Sequence, residues 1–79
     1  MPIAAQPEDP DLGRLAASLK QLRSDRGLTY EQLAEASGLS RRGVIALEQG
    51  ERSGNLRSWY RVAAALDVPF SELMAALDK

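Results

Sequence analysis

Seventy-nine residues suffice for one domain, small enough that its core must be packed efficiently. The chain has no cysteine and no histidine, which removes disulfides, thiolate metal sites, the commonest zinc ligand and the commonest general base; no metal, no cofactor and no enzymatic activity are expected. Ten Lys/Arg against eleven Asp/Glu leave a formal charge of −1, an unusual balance for a binder of nucleic acid.

Residues 1–8 carry two prolines and no periodicity, and read as a flexible arm ahead of a domain spanning 9–79. The opening Met-Pro-Ile-Ala-Ala-Gln-Pro-Glu-Asp lacks the basic residues and apolar core of a signal peptide, and no apolar run reaches membrane-spanning length. A cytoplasmic protein is therefore expected. Asp9-Pro10 resembles a helix cap followed by a proline in the first turn. Leu12, Leu15, Leu19 and Leu22 then recur at three- and four-residue spacing, predicting an amphipathic helix that ends at Arg26, with Gly27 as its punctuation.

Thr29, with Gln32 three residues on, forms a capping box that starts a second helix at about Tyr30. Leu33, Ala34 and Ala36 give this helix an inward face of small and medium side chains, and Gly38 ends it where a left-handed backbone is needed. Ser40 caps a third helix, in which Val44 and Leu47 lie three apart on the inner face. That placement leaves Arg42, Ile45, Ala46 and Gln49 outward and Arg41 at the exposed N-terminal end. Two short helices, a glycine turn and an alanine that permits close crossing have the spacing of a DNA-binding helix-turn-helix. Gly43, inside the third helix, costs about 1 kcal/mol relative to alanine; it either permits close approach to a DNA backbone or is simply tolerated.

Gly50-Glu-Arg-Ser-Gly-Asn55 is rich in turn formers, and Asn55 is placed to cap a fourth helix. Leu56, Trp59, Val62, Ala63 and Leu66 follow helical spacing, which makes Trp59 a core residue rather than a platform for stacked bases. Asp67-Val68-Pro69 breaks the chain before a short last helix, in which Phe70 and Leu73 should close the core. Met74 and Leu77 extend the apolar stripe beyond it, as either a frayed terminal turn or a two-fold dimer contact.

The pieces Leu28-Thr29, Leu33-Ala34, Gly38-Leu39-Ser40, Glu48-Gln49-Gly50 and Ala63-Ala-Ala-Leu-Asp-Val68, followed by Glu72-Leu73, occur in order between about Leu15 and Leu77. In this respect the chain resembles the Cro and phage-repressor (lambda-repressor-like) helix-turn-helix domains. The resemblance implies an all-α, five-helix fold with the helix-turn-helix at helices 2 and 3. It also implies a transcriptional regulator of the repressor type, binding double-stranded DNA sequence-specifically through the major groove as a homodimer, with no membrane and no small-molecule ligand. By family position Arg41, Arg42 and Ala46 are the expected base readers, and Ile45 can pack on a thymine methyl. Phosphate contacts are expected from Thr29, Tyr30, Ser40, Gln49, Arg52, Ser53 and Asn55. Relatives often carry glutamine where Tyr30 stands, so both a hydroxyl–phosphate bond and a packed ring stay open. The same resemblance implies a partly buried ion pair between Arg23 and Glu48, each on the edge of its helix's apolar stripe.

Charge is unevenly distributed. Residues 14–61 hold nine Lys/Arg against five Asp/Glu, a net +4, while residues 1–13 carry −3 and residues 62–79 carry −2. A basic middle between acidic ends fits a DNA face opposed to a solvated or dimer-facing end, with weak non-specific binding because few phosphates are neutralised. The rival is a protein-interaction module, an antitoxin-like partner binder on the same fold. Against it stands the Arg41-Arg42 pair: arginines at a helix start oppose the macrodipole, which a purely stabilising role does not explain.

Overall fold

A computed structural model of the chain describes residues 10–51 and 54–78. The expected arm at 1–8, the cap at Asp9 and the phosphate contacts at Arg52 and Ser53 lie outside them. Five α-helices follow one another: α1 Leu12–Asp25, α2 Tyr30–Ser37, α3 Arg41–Glu48, α4 Leu56–Ala65 and α5 Phe70–Met74, the last continued by a 3-10 turn Ala75–Asp78.

Local chemistry sets the helix starts. Asp11 caps α1, its carboxylate accepting from the Gly13 and Arg14 amides at 3.0 and 3.3 Å, so the cap falls after Pro10. The capping box of α2 is complete: the Gln32 amide donates to Thr29 Oγ1 at 3.0 Å and the Thr29 amide donates to Gln32 Oε1 at 2.9 Å. Ser40 Oγ accepts from the Gly43 amide at 2.9 Å, and Asn55 Oδ1 accepts from the Ser58 amide at 2.8 Å.

The helix ends use a shared device. After α1, α3 and α4 the chain doubles back, and an amide five residues on reaches the helix: Leu28 to the Arg23 carbonyl, Glu51 to Ala46 and Val68 to Ala63, at 3.0–3.1 Å. The left-handed residue in the third of these turns is Asp67, at φ 58°, rather than glycine. At Gly38, which joins α2 to α3, the backbone calls for glycine: φ is 76°, and a Cβ there would also displace the far end of Arg61 on α4, 2.8 Å away.

The core gathers Leu15 and Leu19 of α1, Leu33 and Ala34 of α2, Val44 and Leu47 of α3, Trp59, Val62 and Ala63 of α4, then Leu66 and Leu73. Leu19, Leu33, Val44, Val62, Leu66 and Leu73 have no exposed surface, and burying each such side chain contributes about 1.5–3 kcal/mol. On α2, Ser37 rather than Ala36 turns inward, because it lies four residues after Leu33; its hydroxyl donates to the Ala34 carbonyl and accepts from the Leu39 amide, each at 3.3 Å. Leu56 does not join the core. It is 70% exposed, whereas Trp59 is buried, its indole so close to Gly54 that a Cβ there would meet Leu47 and, at 3.0 Å, Trp59 Nε1. Phe70 closes the C-terminal end with its ring 5.7 Å from that of Tyr60.

Candidate nucleic-acid interface

α2 packs against both α3 and α4, and α1 braces α3 from behind, so the outer side of α3 is presented by a fixed frame. The brace is an ion pair. Arg23 Nε donates to Glu48 Oε2 at 2.7 Å and Nη2 to Oε1 at 2.8 Å, a two-bond fork, while Nη1 donates to the Leu28 carbonyl at 2.8 Å. The Glu48 side chain is 2% exposed and that of Arg23 17%. Hydrogen bonding to Glu48 holds the Arg23 guanidinium above its already high ordinary pKa, outweighing the opposing effect of burial. Its charged form is therefore fully present at every working pH.

Tyr30 belongs to this brace. Its hydroxyl donates to Glu48 Oε1 at 3.3 Å, and the Arg23 guanidinium carbon sits 4.4 Å from its ring centroid. Of the two roles left open for Tyr30, the packed ring is the one this geometry displays, with the hydroxyl turned towards a carboxylate. Glu48 thereby satisfies two partners, and no buried side-chain N or O among the described residues lacks a hydrogen bond.

Arg41, Arg42 and Gln49 are exposed along the outer side of α3 and Ile45 is half-buried beside them. Ala46 departs from the expected pattern, being 7% exposed. Its carbonyl accepts from the Glu51 amide at 3.0 Å, where the chain turns back after α3. A base-reading role for Ala46 therefore has little surface to act through.

The polar residues around α3 have spare donors. Thr29, Ser40 and Asn55 each use a side-chain oxygen as acceptor in a helix cap, which leaves the Thr29 and Ser40 hydroxyl protons and the Asn55 amide protons to donate to an anion. Ser40 and Asn55 line one groove of about 270 Å³ with Leu39, Gly43, Leu47, Gly54 and Ser58. Gly43 lines it too, and a Cβ there would stand 3.1 Å from the Ser40 hydroxyl, which would have to give by a few tenths of an ångström.

At the opposite end, Met74 and Leu77 are half-buried and packed on the protein's own core, so they are less surplus to a monomer than their spacing suggested. Leu56 and Tyr60, 70% and 62% exposed and four residues apart on α4, are the large apolar side chains left open among the described residues. The spacing rule that placed Leu56 inward hid this stripe.

Five helices with a glycine-turned α2–α3 pair, and an arginine-bearing outer face on α3, define a helix-turn-helix domain. The chain belongs to the HTH_3 family, whose helix-turn-helix model matches residues 19–73. It is 38% identical over 61 residues to the HTH-type transcriptional regulator SutR of Escherichia coli, a match covering 77% of this chain and 34% of that protein. A match of the same length, at 39% identity, covers 88% of an uncharacterised HTH-type transcriptional regulator of Methanothermobacter thermautotrophicus. Among solved structures, the restriction-modification controller protein C.AhdI of Aeromonas hydrophila superposes with a TM-score of 0.77 at 40% identity, over 80% of this chain and 96% of that one. The clp gene regulator ClgR of C. glutamicum gives 0.77 at 30% identity, over 89% and 92%. No described helix is long and apolar enough to cross a membrane.

Proposed function

We propose that the chain is a sequence-specific DNA-binding transcriptional regulator of the repressor type, a binding protein rather than an enzyme, working in the cytoplasm where the chromosome or phage genome lies. The observation that carries the reading is the exposed Arg41-Arg42 pair at the N-terminal end of α3, on a helix held from behind by the buried Arg23–Glu48 fork. An α-helix fits the major groove, and an arginine can bond guanine O6 and N7 together. Arg41 and Arg42 read bases, Ile45 offers apolar contact to a thymine methyl, and Thr29, Ser40, Gln49 and Asn55 position the helix on phosphates, joined by Arg52 and Ser53. Their spare donors suit that role, whereas Tyr30 acts from within the brace. A homodimer places two such helices in successive major grooves, paired through the Met74 and Leu77 end of the molecule.

Selection of bound fragments from random duplex DNA tests the proposal. A preferred sequence made of two related half-sites about one helical turn apart is expected. Recovery of no preferred sequence would contradict it and favour the protein-interaction reading.

A further inference from the structure

Arg41 is not free in solution. Its Nε donates to Glu31 Oε1 at 3.0 Å, and its guanidinium carbon lies 5.8 Å from the centre of the Tyr30 ring. Both charged side chains are well exposed, at 60% and 61%, and an exposed pair of this kind adds little to fold stability. Arg42, beside it, has no ion pair among the described residues.

We propose that Glu31 is a positioning residue for base recognition by Arg41, an inference that rests on the DNA-binding reading above. The bond takes Nε, so the edge carrying Nη1 and Nη2 stays open. Those two nitrogens can donate in parallel to guanine O6 and N7. The Tyr30 ring, its hydroxyl bonded to Glu48, stands at the outer reach of a cation–π contact with the Arg41 guanidinium. The exposed pair biases the Arg41 rotamer rather than locking it, and that bias lowers the ordering cost of binding. The choice of an acid is informative. Beside an arginine aimed at phosphate, a carboxylate would offset the useful charge and repel the backbone. A neutral base edge asks for direction more than charge, and direction is what Glu31 supplies.

The test uses the full chain, with Glu31→Ala, Glu31→Gln, Arg41→Ala and the double Glu31→Ala/Arg41→Ala variant, bound to the preferred site and to single base-pair changes across it. Arg41→Ala should flatten discrimination at one base pair. Glu31→Ala should reduce discrimination roughly threefold to tenfold at that same base pair and at no other, and the double variant should be no worse there than Arg41→Ala alone. Glu31→Gln retains an acceptor oxygen and should recover most of the loss. If Glu31→Ala instead tightens binding to all sequences alike, the acid merely repels phosphate and the proposal is overturned, while base reading by Arg41 stands. If Arg41→Ala changes preference nowhere, the base-reading assignment itself falls, and Glu31 with it.

Discussion

Removing Glu48 offers a sharp test of how the recognition helix is held. Glu48→Ala deletes a carboxylate that is 2% exposed and accepts three hydrogen bonds, two from Arg23 and one from Tyr30. Breaking a buried pair by deleting one partner costs about 3–5 kcal/mol, mostly because the other charge is stranded. Arg23 keeps its bond to the Leu28 carbonyl, its ring contact and some access to water, which puts the loss near the lower end, at ~3 kcal/mol. For a chain of this size total stability is about 4–12 kcal/mol, so the variant should lose a large share of it. The Tm should fall by roughly 12–24 °C. Denaturant melts of Glu48→Ala, Arg23→Ala and the double variant form a cycle in which a coupling of about 2–3 kcal/mol is expected. Coupling indistinguishable from zero would refute the reasoning, because the fork would then contribute nothing beyond two independent side chains.

Asp67 occupies a left-handed position, at φ 58°, that glycine adopts without a Cβ clash; Asp67→Gly should raise stability by about 0.5–1 kcal/mol in denaturant melts, and a loss would show that the aspartate makes a compensating contact. Gly43→Ala should separate stability from binding. Higher helix propensity should add up to ~1 kcal/mol to the melt, less what pushing on the Ser40 cap costs, while the methyl crowds Ser40 Oγ in the groove and weakens DNA binding; equal affinity would show that the groove is not used. Leu77→Glu should shift sedimentation towards a monomer, with a lower Tm but a folded chain, because Leu77 also packs on the core. If Tyr60→Glu does so and Leu77→Glu does not, the two-fold contact lies on α4.

The helix starts were legible because caps are local: Thr29 with Gln32, Ser40 and Asn55 each act within three residues of themselves. For the first helix the sequence suggested Asp9, which lies outside the described residues, whereas Asp11 on the other side of the same proline accepts from the Gly13 and Arg14 amides. Trp59 and the Leu15–Leu19 ridge followed from periodicity. Ala46 and Leu56 did not. Ala46, expected outward, is 7% exposed, and Leu56, expected inward, is 70% exposed. The Arg23–Glu48 fork showed in the sequence only as two charges on inner helix edges, and family resemblance supplied the pairing. Tyr30 and Glu31 escaped altogether as partners of Glu48 and Arg41. Contacts between helices, 18 and 10 residues apart, follow no spacing rule.

The central claim is that α3 reads bases rather than merely presenting positive charge. Salt-titrated binding of Arg42→Ala to the selected site and to a scrambled duplex tests it directly. Arg42 is exposed on the outer side of α3. A base reader should lose about 1–3 kcal/mol on the selected site, with preference relaxed at one base pair and the scrambled duplex little affected. Equal weakening on both duplexes, with a shallower dependence on salt, would mark Arg42 as a phosphate contact and contradict the claim.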